Sequence, residues 1–236
     1  MPYSVPIGYY MDFSYILLVV PVLIASLIIQ AKLKSTYAKY SKISNLRGIT
    51  GAQAAQFVLN YYGVTNVAVR CGTGKLTDHY DPRTNVIVLS PEVFNFSSIA
   101  AVGIACHEAG HAAQHAEGYA PIKIRNLILP VCNVGSSISV PLIILGIFLS
   151  FDSLIWAGIL LFSFVVVFQL VTLPVEFNAS NRAIHVIESN GLLSYEEKAG
   201  AEKVLKVAAL TYVASLATSV AQLLRLIIRF GGRRKR

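Results

Sequence analysis

Three runs of this chain contain no Lys, Arg, Asp or Glu and are long enough to cross a bilayer: Phe13 to Ala31, Leu127 to Phe151, and Leu154 to Val175. A hydrocarbon core about 30 Å thick needs roughly 20 apolar residues at 1.5 Å per residue, so each run reads as a membrane-spanning helix. Nothing basic precedes the first run, and it is longer than the apolar core of a signal peptide. It therefore reads as a retained anchor over 11–31, with the other spans at 127–151 and 154–175. Composition agrees: 55% hydrophobic and 14% charged residues, with mean hydropathy +0.60, are too apolar for an ordinary soluble domain.

The basic residues orient these spans. Lys32, Lys34, Lys39, Lys42 and Arg47 follow the first one, whereas residues 1–12 carry no Lys or Arg. Lys123 and Arg125 precede the second span, Arg182 follows the third, and only Asp152 and Ser153 lie in the turn between them. The positive-inside bias then places 32–125 and 176–203 on the cytoplasmic face. A fourth apolar stretch, 204–230, has basic residues at both ends, so its charges choose no side. Its small-polar stripe of Thr211, Ser215, Thr218 and Gln222 suits a membrane-embedded helix packed on the others, or one lying in the interface. The net charge of +8 is explained by these flanking clusters and the terminal Arg-Arg-Lys-Arg, which suit anionic lipid headgroups rather than nucleic acid. Cys71, Cys106 and Cys132 form no Cys-x-x-Cys pair and read as buried apolar residues rather than as disulfides or metal ligands.

Between the first two spans lies His107-Glu108-Ala109-Gly110-His111. On a helix this places two imidazoles one turn apart on one face, each able to present a nitrogen at about 2.0–2.1 Å from a tetrahedral Zn²⁺. Glu108 projects toward the open position, where it can take a proton from a water activated by the metal. The implied chemistry is hydrolysis. Around the motif, Thr50-Gly51-Ala52-Gln53 reads as a capping box that opens a helix ending at Gly63, and a short strand follows at 67–70. Asp78 to Thr84 reads as a polar turn and Asn85 to Leu89 as a second strand. Ser97 or Ser98 then opens the motif helix, which runs through Glu117 to Gly118.

A third zinc ligand must come from elsewhere. His115 shares the stripe but lies about 12 Å of helix rise from His107, so it fits only a supporting or structural place. Glu117 falls where a longer His-Glu-x-x-His-x-x-Gly-x-x-His pattern puts its last ligand, but Gln114 replaces the Gly that would turn the chain back. Glu176 is the better choice, because it directly follows the third span at the same membrane face. Glu188, Glu196, Glu197 and Glu202 lie in a charged stretch that reads as a solvated helix surface.

Glu176-Phe177-Asn178-Ala179-Ser180 resembles the Glu-x-x-Ala-Asp segment through which HtpX-like and CAAX-prenyl-protease-like membrane peptidases supply a Glu ligand. Where that pattern has an Asp orienting a zinc histidine, Ser180 stands here, and its hydroxyl can accept the same hydrogen bond more weakly. A closer likeness runs through Gly51, Leu76 to Pro82, Leu89-Ser90, Ser98 to Ala101, His107 to Gln114 and Glu176 to Ala183. Over nearly the whole chain it resembles the YugP-type neutral zinc metallopeptidases of prokaryotic membranes. The resemblance implies a gluzincin-like catalytic core; joined to the apolar runs and the charge bias, the reading is a mainly α membrane protein of three to four transmembrane helices with a small α+β catalytic domain on the cytoplasmic face.

The mechanism expected from these readings has Zn²⁺ held by His107, His111 and Glu176, with Glu108 as general base. His79, Tyr80 or Arg182 would meet the developing oxyanion. His79 leads because Asp78 and Asp81 flank it, although the same segment reads equally well as a turn capped by Asx bonds. The strand Asn85 to Leu89 serves either as an edge on which extended substrate pairs or as core packing. The partners implied are protein or peptide substrates at the membrane and the lipid bilayer, with no nucleic acid. A zinc-bound adaptor subunit without proteolysis is the alternative from another class, and the lack of charge inside the spans argues against a transporter.

Overall fold

The computed structural model describes residues 13–231. The first two residues of the expected anchor and the terminal basic run lie outside these. A π-helical turn, Tyr15–Val19, leads into α1 (Val20–Tyr40). The membrane part is completed by α5 (Ala120–Phe148), α6 (Asp152–Ser189) and α7 (Tyr195–Gly231). Among the described residues, four helices are long and apolar enough to cross a membrane: Tyr15–Tyr40, Ala120–Phe148, Asp152–Ser189 and Tyr195–Gly231. Their outward faces leave Leu17, Leu27, Leu127 and Phe148 at least 65% exposed, an apolar surface suited to lipid rather than water.

Small residues bring α5 and α6 into close contact. A Cβ at Gly158 would meet the Ser139 carbonyl at 2.7 Å, and one at Gly146 would meet the Ile155 nitrogen at 2.8 Å. The turn between them falls at 149–151, one step earlier than Asp152 and Ser153, because Asp152 already begins α6, where its charge complements the helix N-terminus. The Ser26 and Thr218 hydroxyls lie 3.2 Å apart, so the small-polar stripe of α7 packs against α1.

Helix α6 runs unbroken 14 residues beyond Val175 and stops at Asn190 and Gly191, where φ is +57°. A second capping box then starts α7: the Ser194 hydroxyl accepts from the Glu197 amide at 3.3 Å, and Glu197 accepts from the Ser194 amide at 2.8 Å. The other Glu197 oxygen accepts from the Leu46 amide at 2.7 Å. Glu197 is thus only 8% exposed, which corrects its reading as a solvated residue.

The domain between α1 and α5 opens with α2 (Gly51–Tyr61), whose predicted Thr50–Gln53 capping box is present in both directions. Strands β1 (Ala68–Cys71), β2 (His79–Asp81) and β3 (Val86–Leu89) form a sheet in the order β1-β3-β2. β3 pairs parallel to β1 and antiparallel to β2. One expectation is corrected, and the choice between edge and core for the strand at 85–89 falls to the core. The polar segment 78–84 contains a strand as well as a turn, the turn being held by the Asp81 carboxylate, which accepts from the Arg83 amide and the Thr84 hydroxyl. The strand at Val86–Leu89 is central, so β2 supplies the edge on this side of the sheet. Cys71 is exposed on β1, another correction, whereas Cys106 and Cys132 are buried.

After the short α3 (Pro91–Asn95), Ser98 caps α4 (Ile99–Ala116) by accepting from the Ala101 amide. Helix α4 lies at the centre of the domain. Val102, Ala105 and Ala109 pack in one core with Val58 and Leu59 of α2, Ile87 and Leu89 of β3, and Val186 and Ile187 of α6. Burying this apolar stripe between neighbours holds the motif helix in place.

Candidate metal centre

One turn of α4 separates His107 from His111, and their rings stand 4.6 Å apart, edge to face. Glu176 comes from α6 and is 2% exposed. Its Oε2 lies 3.3 Å from His107 Nε2 and 3.6 Å from His111 Nε2. Two ligands about 2.05 Å from a tetrahedral zinc are about 3.4 Å apart, so both Glu176 separations suit one shared ion. Glu176 Oε2 is also buried without a hydrogen-bond partner, which suits a metal-ligand atom. Among the described residues, these three make up the His/Cys/Asp/Glu cluster whose ligand atoms all fall within 4.8 Å of one another.

The close approach of α6 depends on Gly110. A Cβ there would lie 2.8 Å from the Ala179 carbonyl oxygen, so only a glycine lets the α6 backbone come near enough for Glu176 to reach the histidines. Cys106 points the opposite way. Its thiol donates to the Ala54 carbonyl at 3.8 Å, and burial pushes its pKa well above the usual thiol range.

Both imidazoles are held from behind. The Ser180 hydroxyl lies 3.1 Å from His107 Nδ1. Sequence reasoning missed the partner of His111: Gln114 Oε1 stands 3.0 Å from His111 Nδ1, while its Nε2 donates to the Val175 carbonyl at 2.8 Å and to Asn178 Oδ1 at 2.9 Å. With both Gln114 amide hydrogens donated to α6, its oxygen is left to accept from His111 Nδ1–H, which turns Nε2 toward Glu176. A glutamine three residues after the second histidine, on the same helix face, was the available signal. Burial pulls the His111 pKa down, but the Glu176 and Glu108 carboxylates outweigh it and leave it above the usual imidazole range.

Arg182 is not brought to the metal ligands. Its Nε donates to Asn178 Oδ1 at 2.7 Å and its guanidinium pairs with Glu117 at 2.7 Å, outside the cluster. That same ion pair accounts for Glu117. His115 touches no ligand either; its Nδ1 lies 3.3 Å from the Tyr80 hydroxyl, which donates to Asn85 Oδ1 at 3.1 Å. Burial, aided by Asp81, raises the Tyr80 pKa and keeps the phenol protonated. The acids beside His79 have other partners, because Asp78 accepts from the Ser90 amide and hydroxyl.

Two cavities meet at the cluster, and Asp78, His107, Glu108, Glu176 and Tyr212 line both. The larger, about 860 Å³, is mixed in lining but much more polar than the other; it is walled by β2, His115 and the start of α5, and it includes His79, Tyr80 and Arg125 beside Ile122 and Leu129. The smaller, about 390 Å³, is mainly apolar and walled by α1, α4 and α7. Glu108 is half-buried between them and forms no hydrogen bond or ion pair with another described side chain. Tyr212 had no sequence signal, since only the tertiary packing of α7 brings it here.

A His-Glu-x-x-His helix completed by a glutamate from a neighbouring membrane helix is the arrangement of a membrane-embedded zinc metallopeptidase. Residues 15–231 match the family described as "putative neutral zinc metallopeptidase", and the chain belongs to that family; zinc is the family's metal, and His107, His111 and Glu176 stand close together as a possible site for it. Over 216 residues it is 45% identical to a relative named "Putative membrane protease YugP" from Bacillus subtilis (strain 168), covering 92% of this chain and 96% of that one. No solved structure matches the chain.

Proposed function

We propose that this protein is an integral-membrane zinc metalloendopeptidase that hydrolyses peptide bonds in membrane-bound or membrane-adjacent proteins. The observation that carries the reading is the placement of Glu108: a carboxylate without a competing partner, beside a fitted ligand cluster, where two cavities join. His107, His111 and Glu176 hold the metal, with Ser180 and Gln114 fixing the two rings. Zinc, when bound, supplies a Lewis acid that polarises a carbonyl and lowers the pKa of water. Glu108 takes the proton of the attacking water as its oxygen bonds to the peptide carbon, and delivers that proton to the amine as the C–N bond breaks.

Tyr212 is the donor we assign to the developing oxyanion, because it lines both cavities with Glu108 and Glu176, whereas His79 lines only the larger one. An extended substrate pairs its backbone along the free edge of β2. The basic residues at the end of α1 and in the first turns of α5 favour a cytoplasmic active site. A cysteine at the exposed Asn95, with Cys71 and the other native cysteines replaced, tests that orientation. It should resist an impermeant thiol reagent in intact cells and react after permeabilisation; labelling in intact cells would put the site outside.

The decisive comparison is casein digestion by the wild type and by Glu108→Gln, with zinc measured in both. Retained zinc with hydrolysis reduced by roughly two to four orders of magnitude supports the peptidase reading. Zinc-loaded wild type that digests neither casein nor membrane proteins would favour an adaptor instead. Tyr212→Phe should lower turnover more than His79→Gln does, and the reverse order would move the oxyanion donor to β2.

A further inference from the structure

We infer that the apolar cavity is a side-chain subsite that makes this enzyme cut where apolar sequence gives way to polar sequence, as at the edge of a membrane-spanning segment; this rests on the peptidase reading above. Helix α7 builds the subsite by spacing. Leu205, Ala208, Ala209 and Tyr212 stand at i, i+3, i+4 and i+7, hence on one helix face, and all four line the cavity. The two alanines leave the space that larger residues would fill. Leu33 of α1 and Ile104 of α4 close the other walls, and His107 and Glu108 form the reacting end. Its volume of about 390 Å³ lies within the range of apolar ligand pockets and takes one large aliphatic or aromatic side chain with its backbone.

The position of the cavity states where such a side chain comes from. Lys34 and Tyr37 line it where α1 leaves its apolar run, so it lies at the level of the membrane surface. The second cavity shares the same ligands but has a far larger polar share in its lining, and it offers His79, Asp81, Arg83, Arg125 and Asn126 beside a few apolar residues. A peptide held across both has an apolar residue on one side of the reacting carbonyl and polar residues on the other. Soluble, uniformly polar segments fill only half of this site.

The test uses the zinc-loaded full chain in detergent and a series of peptide hydroxamates whose first side chain is hydrogen, methyl, isobutyl or benzyl. Binding is read by thermal shift and calorimetry, without any hydrolysis. The isobutyl and benzyl compounds should bind roughly ten- to a hundredfold tighter than the unsubstituted one. Ala208→Phe, which fills the cavity, should reduce them to the affinity of the unsubstituted compound, with zinc content confirming an intact centre. Leu33→Ala, which enlarges it from the half-buried face of α1, should move the optimum to a naphthylmethyl side chain. Equal affinities across the series in the wild type, or a preference that survives Ala208→Phe, would overturn the subsite. So would a phospholipid acyl chain that copurifies in the cavity and is not displaced by the benzyl compound. Failure of the peptidase reading shows separately, as hydroxamates that are ranked as expected by a protein with no Glu108-dependent cleavage.

Discussion

Replacing Gly110 with alanine tests how the metal centre is assembled. The added Cβ would lie 2.8 Å from the Ala179 carbonyl oxygen, and ordinary contact begins at about 3.4 Å, so α6 must retreat from α4 by about 0.6 Å. Ala179 is backbone and cannot swing aside. Glu176 lies three residues earlier on the same helix and moves with it, whereas zinc geometry tolerates only about 0.2 Å per ligand. Overpacking of this kind costs about 1–3 kcal/mol, against roughly 1 kcal/mol returned by the better helix propensity of alanine. Gly110→Ala should therefore fold, melt within a few degrees of the wild type, and bind zinc at least tenfold more weakly in competition with a chromogenic chelator. Gly103→Ala is the matched control on the same helix: its Cβ meets the Ala201 side chain at 3.3 Å, which a small adjustment relieves, so zinc affinity should hold. Wild-type zinc affinity in Gly110→Ala would refute the argument that backbone proximity sets the site.

Three further outcomes follow from the geometry. Glu176→Ala should remove most bound zinc, measured by elemental analysis, whereas Glu117→Ala, which only frees Arg182, should leave it in place. Gln114→Leu keeps the volume but leaves His111 Nδ1 without an acceptor, and zinc affinity should fall about ten- to a hundredfold in the same chelator competition. The raised pKa of His111 in the metal-free protein gives opposite pH trends for metal and fold. Zinc needs the neutral ring, so its affinity should begin to weaken once pH falls below that raised value, at a higher pH than an ordinary imidazole near 6.5 would allow. The metal-free fold keeps the contribution of protonated His111 below about pH 6.5 and loses it as pH rises through the folded value, so its melting temperature should drop over that interval.

Much of this architecture is legible because single physical requirements dictate it. The thickness of the bilayer fixes the apolar runs, reciprocal capping fixes the start of α2, and helical spacing alone turns His107 and His111 to one side. What the sequence hides is set by neighbours. His79, Tyr80 and Asp81 have no apolar alternation, so nothing local marks β2; backbone pairing with β3 makes it a strand. Glu197 sits in a charged stretch, and its burial follows from the amides of Leu46 and Ser194 that it caps. Gln114 and Asn178 are ordinary polar residues until α4 and α6 pack together. Arg182 is basic and close in sequence to Glu176, yet its position on α6 aims it at Glu117. Tyr212 reaches the site only because α7 crosses α4, a contact between residues about a hundred positions apart.

The central claim, that zinc held by His107, His111 and Glu176 drives peptide hydrolysis at this membrane site, is tested most directly by removing the metal. Protein stripped with a chelator and dialysed should lose casein cleavage and regain it on adding about one equivalent of Zn²⁺ per chain, while stripped Glu108→Gln should take up the same zinc and remain inactive. Cleavage that persists without zinc, or that returns equally in Glu108→Gln, would contradict the account.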